Sequence, residues 1–151
     1  MTGVHDNAPL PIRCAAIDDY DEIVSVWTAA QLSYRPGYRD SETGFRRQLT
    51  MFPNLYLVAT DGPRVVGVVF GSHDGRKGWI NRLAVLPEYR RRGIAAALTV
   101  ACEKAILAEG IEIIAALVEA DNASSCSLFE KLGYQSDVPV RYFRKLSHPG
   151  A

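Results

Sequence analysis

The sequence predicts a mixed α/β fold in which helices pack against one mostly antiparallel sheet, in the order βααβββαβαββ. Three observations predict it. Two β-rich runs, Leu55 to Ala59 and Val65 to Phe70, flank the turn signal Asp61-Gly62. Gly93 to Ala108 is rich in Ala, Leu and Ile, with Ile94, Leu98, Ala101 and Ala105 at helical spacing and Gly110 as a stop. Ile111 to Val118 is a nearly all-apolar run of the kind a strand buried on both faces shows, and it leads to a second helix that Asn122 can cap.

The remaining elements follow in order. Ile12 to Ala16 is a short strand candidate. Asp19 followed by Glu22 resembles a capping box, and Ile23, Val26, Trp27 and Ala30 give the first helix one buried face, with an end expected near Ser33. Pro36-Gly37 interrupts any helix, and Ser41 to Met51 forms a second one with Phe45 and Leu49 on one side. His73 to Gly78 is a turn, and Trp79 to Val85 a third strand of the meander, ending before Pro87. Cys126, Phe129 and Leu132 share a face of the last helix, which Gly133 ends; Gly133-Tyr134 and Val140 to Leu146 supply the last strands around Ser136-Asp137-Val138-Pro139.

A chain of 151 residues, 48% of them hydrophobic, builds one core and not two. Residues 11–146 are read as a single domain, with residues 1–10 and 147–151 as flexible tails. Seventeen basic residues balance 17 acidic ones, so no global field recruits nucleic acid or an anionic membrane. Cys14, Cys102 and Cys126 are odd in number and far apart, without a C-x-x-C pair, which speaks against a disulfide framework or a metal site and suits a reducing cytoplasm. No stretch approaches the ~18 uninterrupted apolar residues of a spanning helix. The expectation is a cytoplasmic protein that uses no metal, no membrane and no nucleic acid.

Chemistry concentrates after the third strand. Leu83-Ala84-Val85-Leu86-Pro87-Glu88-Tyr89 leads into Arg90-Arg91-Arg92-Gly93 and then a helix N-terminus. Unpaired N–H groups and the positive dipole end face one point there, Gly93 lets the backbone approach closely, and the small Ala95, Ala96 and Ala97 keep the first turn free of bulk. Three arginines add charge for a phosphorylated ligand. The triphosphate pattern G-x-x-x-x-G-K-[ST] is absent, as is G-x-G-x-x-G. By itself the segment is equally a basic turn capping a helix on a solvated face.

Arg90-Arg91-Arg92-Gly93-Ile94-Ala95 resembles the [QR]-x-x-G-x-[GA] acetyl-CoA motif of the GNAT superfamily of N-acetyltransferases, preceded by that family's Leu-Ala-Val-x-Pro-Glu-Tyr phrase. Asn122 to Tyr134 is similar to its downstream N-x-x-[AS]-x-x-L-Y-E-K-x-G-F helix. The resemblance implies that the backbone of Leu83, Ala84 and Val85 pairs with pantetheine. It implies that Arg90, Arg91, Arg92, Gly93, Ile94, Ala95 and Ala96 hold the pyrophosphate, and that Asn122, Ser125 and Phe129 approach the thiol arm. Asn122 alone reads as an N-cap and Phe129 as core.

Two positions depart from the family pattern. Phe129 stands where a tyrosine usually protonates the departing thiolate, a role left to Tyr134, Ser125, Cys126 or water. Trp79 stands near the usual strand carboxylate, leaving Glu119, or His73 and Asp74, as base. Tyr34, Arg35 and Tyr38 between the first two helices are expected to contact the acceptor, an amino-acid-like small molecule or a protein N-terminus; a mobile polar lid is the other reading. The resemblance implies acetyl transfer from acetyl-CoA to a primary amine by direct attack, with a non-catalytic acyl-CoA sensor as the alternative. Apolar strand edges near Val140 to Phe143 make a homodimer an expectation.

Overall fold

The computed structural model describes residues 8–136 and 139–151. Its sheet has the order β1 (Ile12–Cys14), β2 (Tyr56–Asp61), β3 (Arg64–His73), β4 (Lys77–Val85) and β5 (Ile113–Ala116). The first three pairings are antiparallel and β4 with β5 is parallel. Helices α1 (Tyr20–Ala29), α2 (Glu42–Met51), α3 (Ile94–Ala108) and α4 (Ala123–Lys131) complete the fold. The expected class is therefore the observed one, and among the described residues no helix is long and apolar enough to cross a membrane.

Alternation along β3 assigns the two faces. Phe70 stacks on Tyr56 at 3.8 Å and meets Phe45 of α2 at 5.8 Å and Trp27 of α1 at 5.4 Å, so α1 and α2 cover one face with aromatic rings. Glycines dominate the other face. A Cβ at Gly67 would fall 2.9 Å from Leu98 of α3, and one at Gly71 would fall 2.6 Å from the Cys102 sulfur, so their missing side chains let α3 settle directly on the strands. Leu98, Cys102 and Ile106 are fully buried as a result.

Two irregularities in β4 position the site. Its ladder with β5 runs only from Lys77↔Ile113 to Ile80↔Ala116, although β4 itself continues to Val85. The two strands part there. On the other side, Phe70 pairs with Asn81 and Val68 with Ala84, leaving Arg82 and Leu83 opposite Val69 in a bulge. Arg82 takes φ +55°, left-handed backbone that costs a non-glycine residue on the order of 1–3 kcal/mol.

Several expectations are corrected. Asp19 and Glu22 form no capping box: Asp19 lies in a 3-10 turn, Ile17–Asp19, its carboxylate accepting from Ala16 N and from Arg13, while Glu22 accepts from Val65 N at 2.8 Å. Helix α1 stops at Ala29, where Gln31 turns left-handed at φ +60°, earlier than Ser33. Among the described residues strand β5 is an edge, not a strand buried on both faces, and Ile113 is 57% exposed. The last two strands are not formed among the described residues, and Asp137 and Val138 lie outside them. Tyr134 N donates to Phe129 O at 2.9 Å, a helix-terminal bond in place of a ladder bond, and Val140 and Phe143 are 79% and 87% exposed. β-forming composition describes a half-buried surface, and without a covering neighbour it does not make a strand.

Candidate active site

The turn after β4 is anchored at its start and open at its end. Tyr89 OH donates to Asp61 Oδ2 at 2.6 Å and Glu88 pairs with Arg64 at 2.8 Å, tying the 3-10 turn Pro87–Tyr89 to the β2–β3 hairpin. Beyond it Arg91 (φ +63°) and Gly93 (φ +73°) are both left-handed, which swings the chain into α3. Gly93 has no atom within 4 Å of where a Cβ would sit, and no side chain caps α3, so the leading N–H groups of the helix lack a side-chain partner. Arg90, Arg91 and Arg92 are exposed, with Arg92 resting over the Tyr89 ring at 4.8 Å. A cavity of about 470 Å³ opens beside this terminus, lined by Leu10, Ile12, Arg91, Arg92, Gly93 and Ala97 among others.

Following β5, Asn122 Oδ1 accepts from Ser125 N at 3.1 Å and thereby caps α4. Phe129 is buried and meets Tyr134 edge-on at 5.0 Å. Tyr134 OH donates to Glu103 Oε1 of α3 at 2.8 Å; burial and this carboxylate push the phenol well above the usual tyrosine range. Glu103, Phe129 and Tyr134 line a groove of about 760 Å³ along β5. Glu119 is not gathered with them. It sits on the exposed turn between β5 and α4, where its backbone carbonyl accepts from Asn122 N.

The segment from Tyr34 to Asp40 is a hydrogen-bonded turn. Asp40 Oδ2 accepts from Arg35 N at 2.7 Å, Tyr20 OH donates to Asp40 O at 2.7 Å, and Gln48 donates to Arg39 O at 2.7 Å. Tyr34 lies 6.2 Å from the Trp27 ring, Arg35 is exposed, and Tyr38 meets His148 of the C-terminal segment at 4.5 Å with the rings tilted. Sequence reasoning missed Arg82. The β4 bulge turns this arginine onto the α1 face, its guanidinium 4.2 Å over Trp27 and its Nη1 donating to Ser33 O at 2.7 Å. The available signal was an arginine in the middle of Trp79 to Val85, at a point where strict alternation would send it toward α3.

The strands thus part ahead of an uncapped helix N-terminus flanked by exposed arginines, an arrangement whose backbone dipoles and charge suit an anion. The chain belongs to the acetyltransferase (GNAT) family, whose pattern it matches over residues 20–134. It is 39% identical over 131 residues to an acetyltransferase of Sodalis glossinidius, covering 87% of this chain and 91% of that one. Its fold is similar to Ard1 from Thermoplasma volcanium, with a TM-score of 0.76, 20% identity and coverage of 87% and 86% of the two chains. It is also similar to the PaiA N-acetyltransferase from Thermoplasma acidophilum in complex with coenzyme A, with a TM-score of 0.73, 20% identity and coverage of 86% and 92%.

Proposed function

We propose that this acetyltransferase moves the acetyl group of acetyl-CoA to a primary amine, on an amino-acid-like small molecule or a protein N-terminus, by direct attack. The observation that carries the reading is the parting of β4 from β5 after Ile80↔Ala116, directly ahead of the open α3 terminus. Acetyl-CoA fits there on chemical grounds. Leu83 to Val85 lie beyond the β5 ladder and have backbone groups free to meet an amide-bearing arm, and the α3 terminus with Arg90, Arg91 and Arg92 suits a pyrophosphate. Asn122, which caps α4, and Ser125 in its first turn are assigned to the thiol arm.

Acetyl-CoA supplies an activated thioester, so the chain's own work is to orient the amine and manage two protons. Tyr134 is assigned to the leaving thiolate. Its proton is already donated to Glu103, so that bond must open during turnover, while Phe129 supplies only an apolar wall. Glu119, being exposed, acts as base through water. Tyr34, Arg35 and Tyr38 face the acceptor on a turn held in shape by Asp40.

The test is thiol release from acetyl-CoA with a panel of amino acids, polyamines and peptide N-termini. Stoichiometric formation of acetylated amine and free CoA supports the reading. Tight acetyl-CoA binding with no release across the panel supports a sensor instead.

A further inference from the structure

Among the described residues three buried side-chain polar atoms have no hydrogen-bond partner, and all three belong to one stacked pair: Trp27 Nε1, Arg82 Nε and Arg82 Nη2. Such orphans are rare in folded proteins and call for an explanation. Nη1 of the same guanidinium is satisfied by Ser33 O, so the orphaned Nε and Nη2 form one intact edge of the fork. Two parallel N–H donors on that edge match the two oxygens of a carboxylate. Arg82 has no ion pair among the described residues, and the nearby Asp40 gives its carboxylate to Arg35 N. Burial also pulls the guanidinium below the usual arginine range, against the opposing charge of Asp40. The fold spends a left-handed residue and a bulge to aim this side chain at the α1 face, next to the point where β4 leaves β5.

We propose that Arg82 is a specificity residue that anchors a carboxylate of the acceptor through its Nε/Nη2 edge, while Trp27 holds the guanidinium plane. This rests on the acetyl-transfer reading and narrows its acceptor to amines that bear a carboxylate. The Tyr34–Asp40 turn, whose Arg39 and Asp40 lie within electrostatic reach of the guanidinium, is the wall that yields to admit it. Arg35 and the two tyrosines then contact the remainder of the acceptor.

The test is calorimetric titration of the CoA-saturated protein with N-acetyl derivatives of glycine, alanine, leucine, glutamate, lysine and phenylalanine, and with the matching N-acetyl amines lacking the carboxylate. At least one carboxylate-bearing ligand is expected to bind roughly 100-fold more tightly than its partner, a preference that Arg82→Met abolishes without changing CoA affinity. Arg82→Lys, which keeps the charge over Trp27 but not the fork, is expected to lose roughly 10-fold and serves if the methionine variant does not fold. A purely structural Arg82 would lower the melting temperature and leave the preference intact. No preference in the wild type, or one that survives both substitutions, overturns the proposal. Thiol release on the corresponding free amines separates the two claims. Carboxylate-dependent binding without release overturns acetyl transfer and leaves the anchor, whereas release without carboxylate preference does the reverse.

Discussion

The two faces of β4 are built on opposite plans. On the α3 side the turn from Arg90 to Gly93 is open: exposed arginines, an uncapped helix and empty space where a Gly93 side chain would be. On the α1 side the Tyr34–Asp40 turn is closed on itself, and Arg82 is stacked over Trp27 with two donors unmet. On the proposed reading, the difference teaches how one strand would serve two ligands. A ligand with a large fixed charge needs only backbone dipoles and mobile cations, whereas a small acceptor must be recognised by a few preorganised groups.

Charge reversal on the open side tests the contrast hardest. Arg91→Glu with Arg92→Glu is expected to weaken acetyl-CoA roughly 100-fold and leave acceptor KM unchanged, read by calorimetry and steady-state kinetics. On the closed side, Tyr38→Ala removes the ring that His148 packs against, and the acceptor KM is expected to rise roughly 10-fold with acetyl-CoA affinity intact.

Smaller effects probe the supports. Tyr134→Phe deletes the bond to Glu103 and is expected to cost about 1–2 kcal/mol of stability by denaturant titration. The sign of its pH dependence follows from the raised phenol. Folding holds the proton more tightly, so that stabilisation is complete below a pH of about 10 and is lost as pH rises above it. Tyr56, pushed up to about 12 by burial, adds to the same alkaline loss. Asp19→Asn is expected to cost about 1 kcal/mol near neutrality, because Arg13 and Ala16 N hold the carboxylate below its ordinary range. That stabilisation is present above a pH of about 4 and fades as pH falls through the lowered value, so wild type and variant converge in acid.

The same contrast explains what was legible in the sequence. The open side is local: strand, Pro87, three arginines, Gly93 and helix are contiguous, and each acts through its own backbone, so the pattern could be read directly. Arg82 could not be, because its direction depends on a bulge set by register with Val68 and Phe70. Val140 to Leu146 failed in the reverse sense. Its composition suits a strand, yet a strand exists only against a neighbour, and among the described residues this segment has none. Asn122 was legible twice, as a motif position and as an N-cap, and the cap is the role its side-chain oxygen fills.

The most direct test of the central claim is titration of acetyl-CoA into the wild type and Gly93→Asp. At φ +73° an aspartate is strained, and its carboxylate would stand in the open space before α3, facing any pyrophosphate. The expected result is saturable binding to the wild type and none measurable to a folded Gly93→Asp variant. Equal affinity for both proteins would contradict the placement of the cofactor between β4 and the α3 terminus.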